Sequence, residues 1–94
     1  MTREEKIAFI NRRQRQLLVH SCLYYRMNES IVPDHVFDAW SVQLVRLKEE
    51  AADLFKESIY AQSFEDFDGS SGYHLPYWKP EIVRAAEKLI SRPN

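Results

Sequence analysis

The sequence predicts an all-α domain: an antiparallel helical hairpin, a C-terminal helix and an ordered, aromatic-rich loop. Three observations lead to this fold class. Residues 2–27 contain neither proline nor glycine, residues 34–55 carry apolar residues at alternating three- and four-residue spacing, and Pro80 begins a third amphipathic stretch. Both hairpin helices are long enough to bury an apolar face against each other, which favours a helical bundle.

The first helix is expected to begin at a capping box, because Thr2 and Glu5 have the required spacing, and to continue to about Met27. At about 100° per residue its apolar side chains fall into two groups, so we expect its second half to contact two neighbours. One group contains Ile7, Ile10, Leu17, Leu18 and Tyr25, and the other contains Phe9, Val19, Leu23 and Met27.

A short polar turn separates this helix from the next. Pro33 disfavours α conformation at Val32, and Asp34 is the predicted N-cap of the second helix. Two helices joined by so short a turn pack antiparallel. The apolar stripe of the second helix, which we expect to end near Phe55, consists of Phe37, Trp40, Leu44, Leu47, Ala51 and Leu54.

The remainder of the chain is less regular. Residues 58–63 could form one or two further helical turns, and the glycines, prolines and serines of residues 64–80 predict a loop that lies over the hairpin. Its expected packing anchors are Tyr73, Leu75, Tyr77 and Trp78. Pro80 suits the first position of the closing helix, which should run up to the terminal Arg92-Pro93-Asn94. Its apolar stripe consists of Ile82, Val83, Ala86, Leu89 and Ile90.

The composition is that of a globular protein, with 45% apolar and 29% charged residues. The 94 residues allow one domain, 1–94, divided into the hairpin at 1–55 and an extension at 56–94. The formal net charge of −1 predicts no general attraction to nucleic acid or membranes. Cys22 is the only cysteine, and no apolar run has the length of a signal or a membrane span, so we expect a cytoplasmic protein.

Aromatic and acidic residues concentrate in the stretch YYRMNESIVPDHVFD, residues 24–38. Tyr24 and Tyr25 end the first helix, while Asp34 and Asp38 share one face near the start of the second, so antiparallel packing brings all four to one end of the hairpin. Such an end suits a positively charged pyridinium ring, with carboxylates that accept hydrogen bonds from ribose hydroxyls or an amide. Residue types alone favour a structural alternative, in which the tyrosines pack and the aspartates serve the helix N-terminus.

The same stretch closely resembles, without gaps, the signature of the N-terminal Ia subdomain of bacterial NAD-dependent DNA ligases. The resemblance covers roughly residues 7–50 and implies a helical hairpin that recognises the nicotinamide mononucleotide half of NAD. It implies a site in which Tyr24 and Tyr25 match the ligase tyrosine pair, Pro33 and Asp34 a Pro-Asp step, Asp38 a closing aspartate, and Phe37 a position where the ligases usually have tyrosine. Asn28 and Ser30 also depart from the ligase turn.

Catalysis is not expected. Ligases carry their nucleophile in Lys-x-Asp-Gly, whereas the only Asp-Gly here follows Asp66 at the lysine position. No metal site is expected either, since the histidines lack the spacing of a helical metal pair. Arg12, Arg13 and Arg15 could meet phosphates, but a solvated basic face explains them better.

Two functions from different classes follow. The first is a small-molecule binding module that holds NAD or nicotinamide mononucleotide. The second is an interaction protein, similar to small proteins encoded by bacteriophages, that binds or inhibits a host protein such as a ligase or a defence component and uses the hairpin only as scaffold. Neither requires direct contact with nucleic acid or a membrane, and both are compatible with a monomer or a homodimer.

Overall fold

The longest helix, α1 (Arg3–Ser21), begins at the predicted capping box. The side chain of Thr2 accepts a hydrogen bond from the Glu5 amide, and the Glu5 carboxylate accepts one from the Thr2 amide, which satisfies two donors that a helix start leaves unpaired. Hydrogen bonds to the Glu5 carboxylate from the backbone and the side chain of Thr2 hold the pKa of Glu5 below its usual value. The computed structural model describes residues 1–91, so the predicted end of the closing helix at residues 92–94 lies outside the described residues.

A π-helical turn, Cys22–Arg26, extends α1 and was not anticipated. Because this turn is wider than an α-helical one, it changes the direction in which Tyr24 and Tyr25 project. Asn28 then adopts a left-handed conformation with φ 55°, and the Glu29 amide donates to the Leu23 carbonyl at 2.8 Å. This closing bond is typical of a helix C-terminus that ends in a left-handed residue.

Helix α2 (Asp34–Glu50) starts one residue earlier than predicted. Pro33 is the N-cap, with φ −61° and ψ 150°, and its carbonyl accepts from the amides of Val36 and Phe37. The prediction of Asp34 as N-cap was therefore wrong: the proline ring fixes the extended residue that precedes the helix. Asp34 occupies the first helical position instead, where its carboxylate favours the positive end of the helix dipole.

The predicted second helix is divided in two. Ala51 leaves the helical conformation, with φ −131° and ψ 51°, and a short helix, α3 (Ala52–Lys56), follows. This break redirects the chain so that α3 contacts both α1 and α2 and Phe55 is buried with only 4% of its surface exposed. Nothing in the local sequence around Ala51 signals the break, because the residue is a good helix former.

Residues 57–79 form a series of turns that lies over the hairpin, as expected. The ammonium group of Lys48 in α2 donates to the carbonyls of Phe64, Glu65 and Phe67 at 3.2, 3.1 and 2.6 Å. Of the four predicted anchors, Leu75 is buried and Tyr77 packs against the core. Tyr73 and Trp78 are 58% and 60% exposed, so the prediction that they anchor the segment was wrong.

The closing helix, α4 (Pro80–Ile90), begins at the predicted proline. It packs against α1 and the π-helical turn, while α2 and α3 pack on α1 elsewhere, so α1 has neighbours on more than one side, as predicted. Arg13 of α1 bonds Gln43 of α2, and His20, further along α1, packs on Trp40, which is earlier in α2. Contacts that run in opposite directions along the two helices confirm their antiparallel arrangement.

One core connects these elements. Its fully buried apolar residues come mainly from α1 and the turns, and they include Ile10, Leu17, Leu18, Leu23, Leu44 and Phe64. Gln14 is buried among them and stays satisfied, because it donates to the Ser58 hydroxyl at 2.8 Å and accepts from the Tyr60 amide at 3.0 Å. No helix in the described part of the chain combines the length and apolar character needed to cross a membrane.

Candidate ligand-binding cavity

A cavity of about 240 Å³ opens at the end of the hairpin where α1 meets α2. The residues that line it include all five for which the sequence predicted ligand contact, namely Tyr24, Tyr25, Asp34, Phe37 and Asp38. The π-helical turn supplies the tyrosines, the first turns of α2 supply the other three residues, and residues 70–71 of the loop complete the wall. The structure therefore brings these five residues together, whereas Pro33, which the ligase signature also matched, does not line the cavity and serves as the N-cap of α2.

The two tyrosines differ in how firmly they are held. Their rings meet edge to face at 4.9 Å. Tyr25 also bonds the Ser71 hydroxyl at 3.0 Å and stacks on Tyr77 with centroids 5.9 Å apart, which fixes its ring to the loop. Tyr24 is 55% exposed, against 39% for Tyr25, so Tyr24 offers the more accessible aromatic surface.

The charged lining of the cavity is acidic. Asp34 and Asp38 are exposed side chains one helical turn apart, and Glu29 joins them from the turn between the helices. Within residues 1–91, no lysine or arginine lines the cavity. The three carboxylates give it a negative potential and an excess of hydrogen-bond acceptors.

His20 forms part of the wall without adding positive charge. Its ring packs against Trp40 with centroids 5.3 Å apart, and burial lowers the pKa of the imidazole below its ordinary value of 6.5. The side chain is therefore neutral at pH 7 and acts there as an uncharged surface.

Gly72 of the loop lies directly against Ser21 at the end of α1. A Cβ atom on Gly72 would overlap the hydroxyl of Ser21 and would lie 3.2 Å from Cζ of Phe37, so only glycine lets the loop approach this closely. Ser21 is among the residues that line the cavity, and its buried hydroxyl has no hydrogen-bond partner among residues 1–91. An unpaired buried hydroxyl is uncommon and marks a place where a ligand or water could bind.

Part of the lining was missed by sequence reasoning. The contributions of His20, Ser21, Glu29, Ser70 and Ser71 depend on how the loop folds back, and residue types predicted the loop but not its point of contact. The one available signal was the spacing of Gly69 and Gly72 around two serines. Gly69 adopts φ 88°, and Asp68 accepts two hydrogen bonds from Ser70, which shapes this turn.

The aromatic and acidic lining of the cavity suits stacking and hydrogen bonding. In the described part of the chain, no group of three histidine, cysteine or acidic side chains is arranged to hold a metal ion. Comparison of the chain with protein-family models, curated proteins and solved structures finds no match. Any functional assignment therefore depends on the cavity itself.

Proposed function

We propose that this protein is a non-catalytic module that binds the nicotinamide nucleoside part of NAD or nicotinamide mononucleotide, as the Ia subdomain of NAD-dependent DNA ligases does. One observation carries the proposal: four residues matched to the ligase signature, Tyr24, Tyr25, Asp34 and Asp38, line a single cavity together with Phe37, which stands where the ligases usually have tyrosine. The free, buried thiol of Cys22 suits the reducing cytoplasm in which such a module would act.

The cavity residues suggest a mode of binding. The pyridinium ring stacks on Tyr24, because cations are attracted to aromatic faces. Asp34 and Asp38 accept hydrogen bonds from the ribose hydroxyls and the carboxamide. The volume of about 240 Å³ is below the range of about 300–1,000 Å³ typical of ligand pockets, so the nucleoside part occupies the cavity and the adenylate half of NAD remains in solvent.

Phe37 is compatible with this mode although the ligases usually have tyrosine there. Its Cζ atom, which would carry the tyrosine hydroxyl, lies close to Gly72 of the loop. Phenylalanine at this position keeps the aromatic face and lacks one hydrogen-bond donor.

A calorimetric titration with NAD, nicotinamide mononucleotide and AMP tests the proposal. We expect the two nicotinamide ligands to bind with micromolar affinity and AMP not to bind. Asp38→Asn should weaken binding by about tenfold, since a hydrogen bond to a charged group is lost. Asp53→Asn on α3, outside the cavity, is the matched control and should bind as the wild type does. Absence of binding by both nicotinamide ligands at millimolar concentration would refute the proposal.

A second candidate function, the phage-type interaction protein, is favoured by a different observation. Trp78 and Tyr73 are 60% and 58% exposed and continue the ring contacts that begin at Tyr25. Exposed aromatic residues of this kind are enriched in protein interfaces. Retention of purified bacterial NAD-dependent ligase by the immobilised protein, lost on Trp78→Ser, would support this function, and no retention would count against that partner.

A further inference from the structure

Three features of the cavity bear on the kind of ligand it binds, and the first is its acidic lining. Its charged side chains are the carboxylates of Glu29, Asp34 and Asp38, and within residues 1–91 no lysine or arginine lines it. Arg26, on the adjoining π-helical turn, is exposed and is not part of the lining. His20 is uncharged at neutral pH because burial lowers its pKa.

The second feature is independent of the carboxylates. Ser21 is one of the lining residues, and its buried hydroxyl has no hydrogen-bond partner in the described residues, so a polar group without a partner lies beside the cavity. The aromatic rings of Tyr24, Tyr25 and Phe37 are the third feature, and they attract a cationic ring. Together these features describe a site for a small organic cation that carries polar groups.

A phosphate group is poorly matched to this lining. At pH 7 a phosphate monoester carries a charge between about −1.5 and −2, and phosphates in proteins are usually held by arginine, lysine or free backbone amides. Three carboxylates near the cavity repel such a group, whereas they attract a pyridinium cation.

We propose that the cavity selects a phosphate-free cationic nucleoside, with nicotinamide riboside as the probe, over the same nucleoside carrying a 5′-phosphate. This inference rests on the proposed function, because the choice of a nicotinamide ligand follows from that function. What the inference adds is the charge of the preferred ligand. The adjoining carboxylates determine the preference, and Tyr24 provides the stacking surface.

The experiment compares nicotinamide riboside with nicotinamide mononucleotide by calorimetric titration at low and at high salt. At low salt we expect the riboside to bind at least about tenfold tighter, and salt should reduce this ratio because exposed charges are screened. The double variant Glu29→Gln/Asp34→Asn keeps Asp38 and should bring the ratio close to one. The matched control Asp53→Asn/Asp66→Asn removes two acidic residues outside the cavity and should leave the ratio unchanged.

Each outcome separates this inference from the proposed function. Equal or tighter binding of the mononucleotide overturns the charge selection but leaves a nicotinamide site in place. Absence of binding by both ligands overturns both statements. A preference for the riboside that persists unchanged in Glu29→Gln/Asp34→Asn overturns the role given to the carboxylates.

Discussion

At the scale of single residues, the cavity depends on the close approach of Gly72 to Ser21 and Phe37. The absence of a side chain at position 72 lets the loop lie directly against the end of α1, and Ser71 can then bond Tyr25. At position 72, glycine is therefore required because it lacks a side chain and not because of its backbone freedom.

Gly72→Ala should lower the free energy of unfolding by about 1–3 kcal/mol, since the added methyl group overlaps the Ser21 hydroxyl and the loop must move. Chemical denaturation measures this loss. The double variant Ser21→Ala/Gly72→Ala removes the overlapping oxygen and should recover part of it. Equal losses in the single and the double variant would show that Ser21 is not the contact that matters.

His20 should make stability depend on pH. Burial lowers the pKa of His20 in the folded chain. As the pH falls below 6.5, the unfolded chain therefore binds a proton at this residue before the folded chain does, and the free energy of unfolding decreases. The pKa values of Glu5, Asp68 and Glu81 are also lowered in the folded chain, so protonation of these carboxylates lowers the free energy of unfolding at more acidic pH.

Denaturation curves at several pH values between about 5 and about 7.5 test this dependence. His20→Gln should flatten the curve in that interval. His35→Gln and His74→Gln, at exposed positions, are the controls and should retain the slope. An unchanged slope in His20→Gln would contradict the role given to this residue.

At the scale of elements, Lys48 holds the loop onto α2. Lys48→Met keeps the apolar stem but removes the donor shared by three carbonyls, so the unfolding free energy should fall by about 1–2 kcal/mol, less than for fully buried bonds. Lys56→Met, at an exposed position of α3, is the control and should leave the unfolding free energy nearly unchanged.

Lys48→Met should also weaken the binding of nicotinamide riboside, because the loop that Lys48 holds carries Ser70 and Ser71 of the cavity wall. Unchanged affinity would show that the position of the loop does not matter for the cavity.

The helix boundaries show where the local sequence is sufficient to predict structure. The capping box at Thr2 and the proline at the start of α4 depend on neighbouring residues, so both helix starts were predictable. The break at Ala51 and the π-helical turn were not predictable from local pattern, because tertiary packing determines both. In the first case burial of Phe55 accompanies the change of direction, and in the second Tyr25 turns toward the loop.

At the scale of the whole molecule, α1 joins the three parts of the structure. It packs against α2, α3 and α4, and Gln14 at its centre ties it to the turns through Ser58 and Tyr60. The π-helical turn that carries the tyrosines continues α1 and also packs against α4, so the cavity is built on the element that joins the fold.

The cavity was predictable from sequence only in part. The hairpin contributes Tyr24, Tyr25, Asp34, Phe37 and Asp38 through short-range spacing, and these residues were identified. The loop contributes Ser70 and Ser71. The bond between Tyr25 and Ser71 joins residues 46 positions apart in the chain, and no local pattern encodes it. The acidic character of the lining became apparent only when Glu29 was placed beside the two aspartates.

The most direct test of the central claim is to map ligand binding with backbone amide NMR spectra of the full chain during titration with nicotinamide riboside. Binding in the cavity predicts shifts concentrated at residues 20–38 and 70–72, absent or much smaller in Asp38→Asn. Shifts confined to another surface, such as the exposed region around Trp78, or no shifts at millimolar ligand, would contradict it.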